Sequence, residues 1–161
     1  MARRWIVAWA GRHQRSEWEV LCAEYTRRIR GALELDELVI RPRVGGGRER
    51  LEAEGTALLA ALPQPCRIVA LDREGQALSS EGFAGRLDSW RREWPHPVAF
   101  LVGSDLGLAP TVLSRAQLRL SLGPMTLPHE LARLLLFEQL YRALAIAAGG
   151  AYHRKRPASL V

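Results

Sequence analysis

The residues of this chain that could do chemistry lie in three short turns and in one polar cluster. The turns, at 71–72, 103–107 and 122–126, each follow a short apolar run, and the cluster is Tyr152-His153-Arg154. A phenol, an imidazole and a guanidinium can stack on a base, accept a proton and hold a phosphate, so one interpretation is an RNA-facing site. The other interpretation is a basic, solvated chain end, which the residue types alone favour.

The second turn contains two glycines and one carboxylate. Gly103 and Gly107 can bring backbone amides close to a ligand, although their spacing differs from that of a dinucleotide fingerprint. Asp105 between them is either a catalytic carboxylate or a loop residue, and its position favours the loop residue. Cys22 and Cys66 have no His or Cys at ligand spacing, so we expect two small core residues and no metal site.

Apolar runs that alternate with helical patterns predict a mainly parallel α/β sheet with helices on both faces. The predicted strands are 4–10, 34–40, 67–71, 97–102 and 118–122, and helical patterns fall between them and over 129–148. In the last strand, Arg119 and Ser121 are expected to point outward. Ligands bind such sheets at the carboxyl ends of the strands, so the three turns are expected to meet there.

The last helix is apolar on almost its whole circumference, which indicates that most of its sides are covered. Four charged residues, Glu130, Arg133, Glu138 and Arg142, argue against a membrane span. Glu138 and Arg142 have the favourable order and spacing for an ion pair. We therefore expect a core helix whose outer side is covered by a second subunit.

Composition and charge are those of a globular protein with a basic surface. The 161 residues predict one domain over 1–161 with a basic tail over 151–161, and the net charge is +6 with a pI near 10.3. Because the positive charge is almost all arginine, the surface either binds nucleic acid or is simply arginine-rich. The N-terminal apolar run is too short for a secretion signal, so we expect a cytoplasmic protein.

Three sequence strings resemble the RlmH family of SPOUT-class methyltransferases. They are FLVG at 100–103, LSLGPMTLPHELARLLLFEQLYRA at 120–143, and YHR at 152–154. Members of this family methylate N3 of a pseudouridine in large-subunit (23S) ribosomal RNA. The resemblance implies a C-terminal trefoil knot, a homodimer, S-adenosylmethionine as cofactor, no metal, and ribosomal RNA in the assembled ribosome as substrate.

The resemblance also implies roles for individual residues. His153 would accept the proton, Tyr152 would position the base, and Arg154 with Arg142 would bind phosphate or developing charge. A tail from one subunit could complete the pocket of the other. Three loops would hold the cofactor mainly through backbone groups, and they contain Leu71, Asp72, Gly103, Ser104, Leu122, Gly123, Pro124, Met125, Thr126, Leu127 and Pro128.

One position departs from the family pattern. The family usually has two successive glycines after this strand, whereas here Ser104 follows Gly103. If this position needs a positive φ, serine costs about 1–2 kcal/mol. An alternative function is therefore an RNA- or ribosome-binding protein of the same fold that no longer binds the cofactor. A further alternative is a different small α/β protein, such as a nucleotide-binding module, which would leave the tail without a role.

Overall fold

The computed structural model describes residues 4–11, 16–41 and 45–152. Strands and helices alternate throughout this part of the chain. In order they are β1 (Arg4–Ala10), α1 (Ser16–Arg30), β2 (Glu34–Ile40), α2 (Gly47–Ala61), β3 (Arg67–Ala77), α3 (Ser80–Glu93), β4 (Val98–Val102), α4 (Pro110–Arg115), β5 (Leu118–Ser121) and α5 (His129–Ala147).

The strands form one sheet in the order β2-β1-β4-β3-β5, and each neighbouring pair is parallel. Helices cover both faces, because α1, α3 and α5 pack on one side while α2 and α4 pack on the other. Along β1, Trp5 and Val7 face the first layer whereas Ile6 and Ala8 face the second. A strand buried on both faces reads as a continuous apolar run, so the predicted α/β fold is confirmed.

Strand β3 differs from its prediction, because it continues six residues beyond Leu71 to Ala77. Its register against β5 shifts between Leu71 and Gln76, both of which pair with Leu120. The residues between them bulge out of the ladder, as an insertion in one strand of a pair requires. The turn predicted at 71–72 is therefore a bulge inside a strand. Because the residues after Leu71 are mostly polar, the sequence did not indicate that the strand continues.

Strand β5 also differs at one side chain. Arg119 is exposed as predicted, but Ser121 is buried with 8% of its surface accessible. The hydroxyl of Ser121 donates to the carbonyl oxygen of Arg73 at 3.0 Å, so a polar residue points inward with its hydrogen bond satisfied.

Helix α5 packs against α1 and α3 of its own chain. Arg133, although charged, is buried with its guanidinium carbon 4.0 Å from the centre of the Trp9 ring. Leu135 is the most exposed of its leucines, at 37%. One chain thus explains most of the apolar circumference, and that circumference does not by itself require a second subunit. The dimer and the knot stay predictions that rest on the family resemblance.

Within the described ranges, no helix combines the length and apolarity that crossing a membrane would require. Both cysteines are free thiols, with Cys22 buried and Cys66 partly buried, as the sequence predicted.

Candidate active site

A cavity of about 370 Å³ lies at the carboxyl ends of β3, β4 and β5. Its walls come from the three turns that the sequence singled out, together with the start of α5. Of the predicted cofactor residues, all except Pro124 and Pro128 line it. The lining residues are Leu71, Asp72, Arg73, Val102, Gly103, Ser104, Asp105, Leu106, Gly107, Leu120, Leu122, Gly123, Met125, Thr126, Leu127, His129 and Ala132.

The bulge of β3 forms the first wall. The Asp72 carboxylate accepts a hydrogen bond from the Glu74 amide at 3.1 Å and one from Arg119 Nε at 2.7 Å. Gly75 allows the bulge to close, because a Cβ there would lie 2.5 Å from the Arg119 carbonyl oxygen. Asp72 is therefore held by its own turn and by the neighbouring strand, with its carboxylate already paired.

The loop after β5 forms the second wall and is joined to the bulge. Ser121 Oγ accepts from the Gly123 amide at 3.1 Å while it donates to the Arg73 carbonyl. Arg73 Nη1 in turn donates to Thr126 Oγ at 2.9 Å. Gly123 has a φ of 123°, a conformation that glycine adopts without strain. These bonds fix two of the cavity's loops against each other.

The turn over 103–107 forms the third wall. The Gly107 amide donates to the Ser104 carbonyl oxygen at 2.9 Å, and the Leu106 amide donates to Ser104 Oγ at 3.3 Å. Only glycines have a positive φ among the described residues, so Ser104 carries no left-handed strain. The conditional cost at this position does not arise. The backbone strain that could have weakened cofactor binding is therefore absent at Ser104.

Ser104 and Asp105 both contact helix α2. Ser104 Oγ donates to Glu54 Oε2 at 2.7 Å, and Arg50 Nε donates to Glu54 Oε1 at 2.9 Å. Arg50 also forms an ion pair with Asp105. Its hydrogen bond to Asp105 lowers the pKa of that carboxyl, which therefore stays ionised at neutral pH. Asp105 lines the cavity with its carboxylate bound to Arg50, which agrees with the loop role favoured above.

Two cavity residues with polar side chains were not predicted. Arg73 belongs to the bulge that the sequence did not reveal. His129 was interpreted as a helix start, and it does begin α5, but it also lines the cavity. Its Nε2 lies 3.3 Å from Glu130 Oε1. The sequence signals for His129 were its place shortly after the third turn and inside the family-like string over 120–143.

Tyr152 and Arg142 lie together on α5 and just beyond it, and neither lines the cavity. Arg142 Nη2 donates to Glu138 Oε1 at 2.6 Å, which confirms the predicted ion pair. The Arg142 guanidinium carbon is 4.8 Å from the centre of the Tyr152 ring, and the phenol donates to Glu138 Oε1 at 3.1 Å. Burial and the nearby Glu138 carboxylate raise the pKa of Tyr152 to about 12.

His153 and Arg154 lie outside the described residues, as do residues 155–161 of the basic tail. The described residues contain no group of three or more His, Cys, Asp or Glu that could hold a metal ion.

Comparison with known proteins finds a methyltransferase family model and ribosomal RNA methyltransferases among the relatives. A family model described as "Predicted SPOUT methyltransferase" matches residues 4–153. "Ribosomal RNA large subunit methyltransferase H" of Rhodospirillum centenum is 46% identical over 153 residues, which cover 94% of this chain and 99% of that protein. The protein of the same name from Stenotrophomonas maltophilia is 43% identical over 136 residues, which cover 82% of this chain and 86% of that one.

A structural relative is far more distant in sequence. The SpoU methyltransferase AviRb of Streptomyces viridochromogenes, solved with AdoMet, is 13% identical with a TM-score of 0.50. The match covers 93% of this chain and 60% of AviRb, and it supports the fold.

Proposed function

Because the chain belongs to the SPOUT methyltransferase family, we propose that it transfers a methyl group from S-adenosylmethionine to N3 of a pseudouridine in large-subunit ribosomal RNA. The observation that carries this proposal is the match over 4–153 to that family, together with relatives named for ribosomal RNA methylation. We take 1–161 as one methyltransferase domain that works in the cytoplasm, where ribosomes are found.

The cavity suits this cofactor in size and in lining. Its volume of about 370 Å³ falls in the range of small-molecule sites. Apolar side chains such as Leu71, Leu122 and Leu127 can pack against a purine ring. The glycine-rich turns expose backbone groups for its polar edges. When bound, the cofactor would supply an electrophilic methyl group on a sulfonium, so the loops must chiefly align that carbon with the ring nitrogen.

The acceptor nitrogen carries a weakly acidic proton, which a base must remove. A Tyr152 phenol with a pKa of about 12 stays protonated at neutral pH, so it is a poor proton acceptor. We therefore assign that role to His153, whose residue type titrates near neutrality. Tyr152 would position the base. Arg154 and Arg142 would neutralise phosphate or the developing negative charge, with Arg142 held in place by Glu138.

Tyr152 and Arg142, with their shared partner Glu138, do not line the cavity of their own chain. This separation supports a composite site in a homodimer. We propose that the tail of one subunit reaches the cavity of the other. Exposed apolar side chains on α1 and β2, namely Val20, Leu21 and Val39, are compatible with a subunit interface. A molar-mass measurement by light scattering should give twice the chain mass of 18.0 kDa.

Calorimetric titration with S-adenosylmethionine tests the cofactor assignment. We expect saturable binding by the wild-type chain, followed by methyl transfer to ribosomes whose large-subunit RNA lacks the modification. Digestion of that RNA and mass spectrometry would identify the methylated nucleotide. Absence of cofactor binding at high concentration would overturn the proposal. Ribosome binding without cofactor binding would instead support a remnant of the same fold.

The roles of the tail are tested by His153→Ala. We expect methylation to fall by about 10²–10⁴-fold while cofactor affinity is unchanged, because the change removes the base and leaves the cavity intact. Undiminished methylation would withdraw the base assignment.

Complementation tests whether the site is shared between subunits. At a cofactor concentration too low to load Gly103→Ala, co-expression of His153→Ala with Gly103→Ala should restore about a quarter of wild-type activity. Half of the dimers would be mixed, and each mixed dimer would have one intact composite site. Activity no higher than that of either variant alone would exclude a shared site.

A further inference from the structure

The carboxylate of Glu54 is the most deeply buried charge near the cavity. The residue is 2% exposed, although it lies on α2, outside the three loops that line the cavity. Its two oxygens are used separately, with Oε1 bound by Arg50 Nε at 2.9 Å and Oε2 bound by Ser104 Oγ at 2.7 Å. A buried carboxylate is tolerated when its oxygens are paired in this way.

Burial of such a charge is a poor way to stabilise a fold. Desolvation offsets most of the attraction within a buried ion pair, and apolar residues of similar volume often stabilise as well or better. The contacts of Glu54 therefore indicate that its role is to hold a neighbouring side chain in position. That neighbour is Ser104, one of the residues that line the cavity.

Helix α2 contacts the 103–107 turn itself and also the segment that follows it. Within the turn, Glu54 bonds to Ser104 and Arg50 forms an ion pair with Asp105. After it, Gly55 packs directly on the segment that begins α4, since a Cβ at Gly55 would lie 2.8 Å from Ala109 Cβ. The turn over 103–107 is thus connected to helix α2 through its side chains and through the chain that follows it.

We propose that Glu54 is a positioning residue of the cofactor site, which holds the 103–107 turn in its binding conformation through the hydroxyl of Ser104. Arg50 orients the carboxylate through its hydrogen bond to Oε1 while it holds Asp105. The hydrogen bond depends on a serine at 104, where the resembling family usually has glycine, and a glycine there could not form it. This inference rests on the proposed function, because the ligand it concerns is S-adenosylmethionine.

Ser104→Ala is the main test, measured by calorimetric titration of the full chain with S-adenosylmethionine. We expect the dissociation constant to rise about tenfold, because a hydrogen bond to a charged group is lost and the turn is released. Ser104→Thr keeps the hydroxyl and should stay within about threefold of wild type. Ser89→Ala is the matched control, since Ser89 donates to Glu93 at the same 2.7 Å on the exposed side of α3.

Glu54→Gln tests the other partner, with Glu52→Gln as its control. Glu52 accepts from Arg48 at 2.9 Å on the same helix, in the same spacing, but in solvent. We expect Glu54→Gln to weaken cofactor binding and Glu52→Gln to leave it unchanged. In the double variant with Ser104→Ala, the two losses should not add, because both changes act on the same Ser104–Glu54 hydrogen bond.

The outcomes separate the two proposals. No binding by the wild-type chain would reject the proposed function. Wild-type binding with unchanged affinity in Ser104→Ala would leave that function intact and overturn the positioning role. A lowered melting temperature with unchanged affinity would show that Glu54 serves only the fold. If Glu54→Gln fails to fold, the comparison of Ser104→Ala with Ser104→Thr still decides, since Ser104 lies in a surface turn.

Discussion

Gly103 and Gly107 approach so closely that a Cβ on Gly103 would lie 2.5 Å from the carbonyl oxygen of Gly107. The neighbouring atoms are backbone, so they cannot move aside as a flexible side chain can. This contact sets the shape of the turn beneath the cofactor cavity. A glycine is required at position 103 by the space available, whatever the ligand.

We expect Gly103→Ala to lower cofactor affinity at least tenfold and to cost about 1–3 kcal/mol of stability, as forced overpacking does. Cofactor titration and urea denaturation measure the two effects. Gly85→Ala is the control, because the added Cβ would have no atom of the described residues within 4 Å beyond its chain neighbours and its own helix backbone, and the position is inside α3. That change should stabilise the protein by about 0.5–1 kcal/mol. Equal affinities in the two variants would contradict the tight-turn argument.

Tyr152 offers a prediction about alkaline pH. Burial, with help from the Glu138 carboxylate, raises the pKa of this phenol to about 12. The folded state therefore holds the proton more tightly than the unfolded state, in which tyrosine titrates near pH 10. The stability gained from this group is present below about pH 10 and is lost as the pH rises through 12. Ultraviolet titration should show a phenol that ionises near pH 12 and is lost in Tyr152→Phe.

Two variants of Tyr152 distinguish the contribution of its ring from that of its hydroxyl group. Tyr152→Phe keeps the contacts with Arg142 and Tyr141, and it should retain most of the methylation activity if stacking positions the base. Tyr152→Ala removes the ring and should reduce kcat by at least tenfold. Equal loss in both variants would assign the role to the hydroxyl instead.

Arg133 should matter to stability more than a surface arginine does. It is 3% exposed and its guanidinium lies over the face of Trp9, so truncation leaves a void beside an aromatic ring. We expect Arg133→Ala to cost about 2–5 kcal/mol in urea denaturation, as a large-to-small change at a buried site does, with a change in tryptophan fluorescence. Arg92→Ala removes an exposed pair with Asp88 and should stay within about 0.5 kcal/mol of wild type. Similar values for both would show that burial of Arg133 contributes little.

Both thiols should react slowly. Burial raises the pKa of Cys66 to about 11 and also raises that of Cys22. At pH 8 a thiol with a pKa of 11 is about one part in a thousand thiolate, and the thiolate is the nucleophile. Alkylation by iodoacetamide followed by mass spectrometry should therefore be at least tenfold slower than for glutathione. Modification as fast as glutathione's would place a thiolate at the surface.

The sheet and the three loops could be predicted because their signals are local. Continuous apolar runs such as 98–102 mark strands buried on both faces, and the glycine turns follow them directly. The bulge after Leu71 could not be predicted, since its polar residues have the composition of a loop. It is defined by the shifted pairing with β5, about 47 residues away in the case of Asp72 and Arg119.

Hydrogen bonds between side chains that are distant in the chain also could not be predicted from the sequence. Ser104 raised the question of strain, and the answer depended on its φ and on a glutamate 50 residues earlier. No spacing rule connects the middle of α2 with the end of β4. For the tail, the string YHR at 152–154 suggested residue roles, and His153 and Arg154 lie outside the described residues.

The distribution of the cavity's walls along the chain has a consequence for biosynthesis. The walls come from the bulge of β3, the turn after β4 and the segment from β5 into α5. Because the last of these segments emerges from the ribosome after both others, a nascent chain that ends before α5 has no complete pocket. Ligand recognition is thus withheld until all five strands have been synthesised. A translation product truncated before α5 would be unable to sequester the methyl donor, and binding competence would report that synthesis had reached α5.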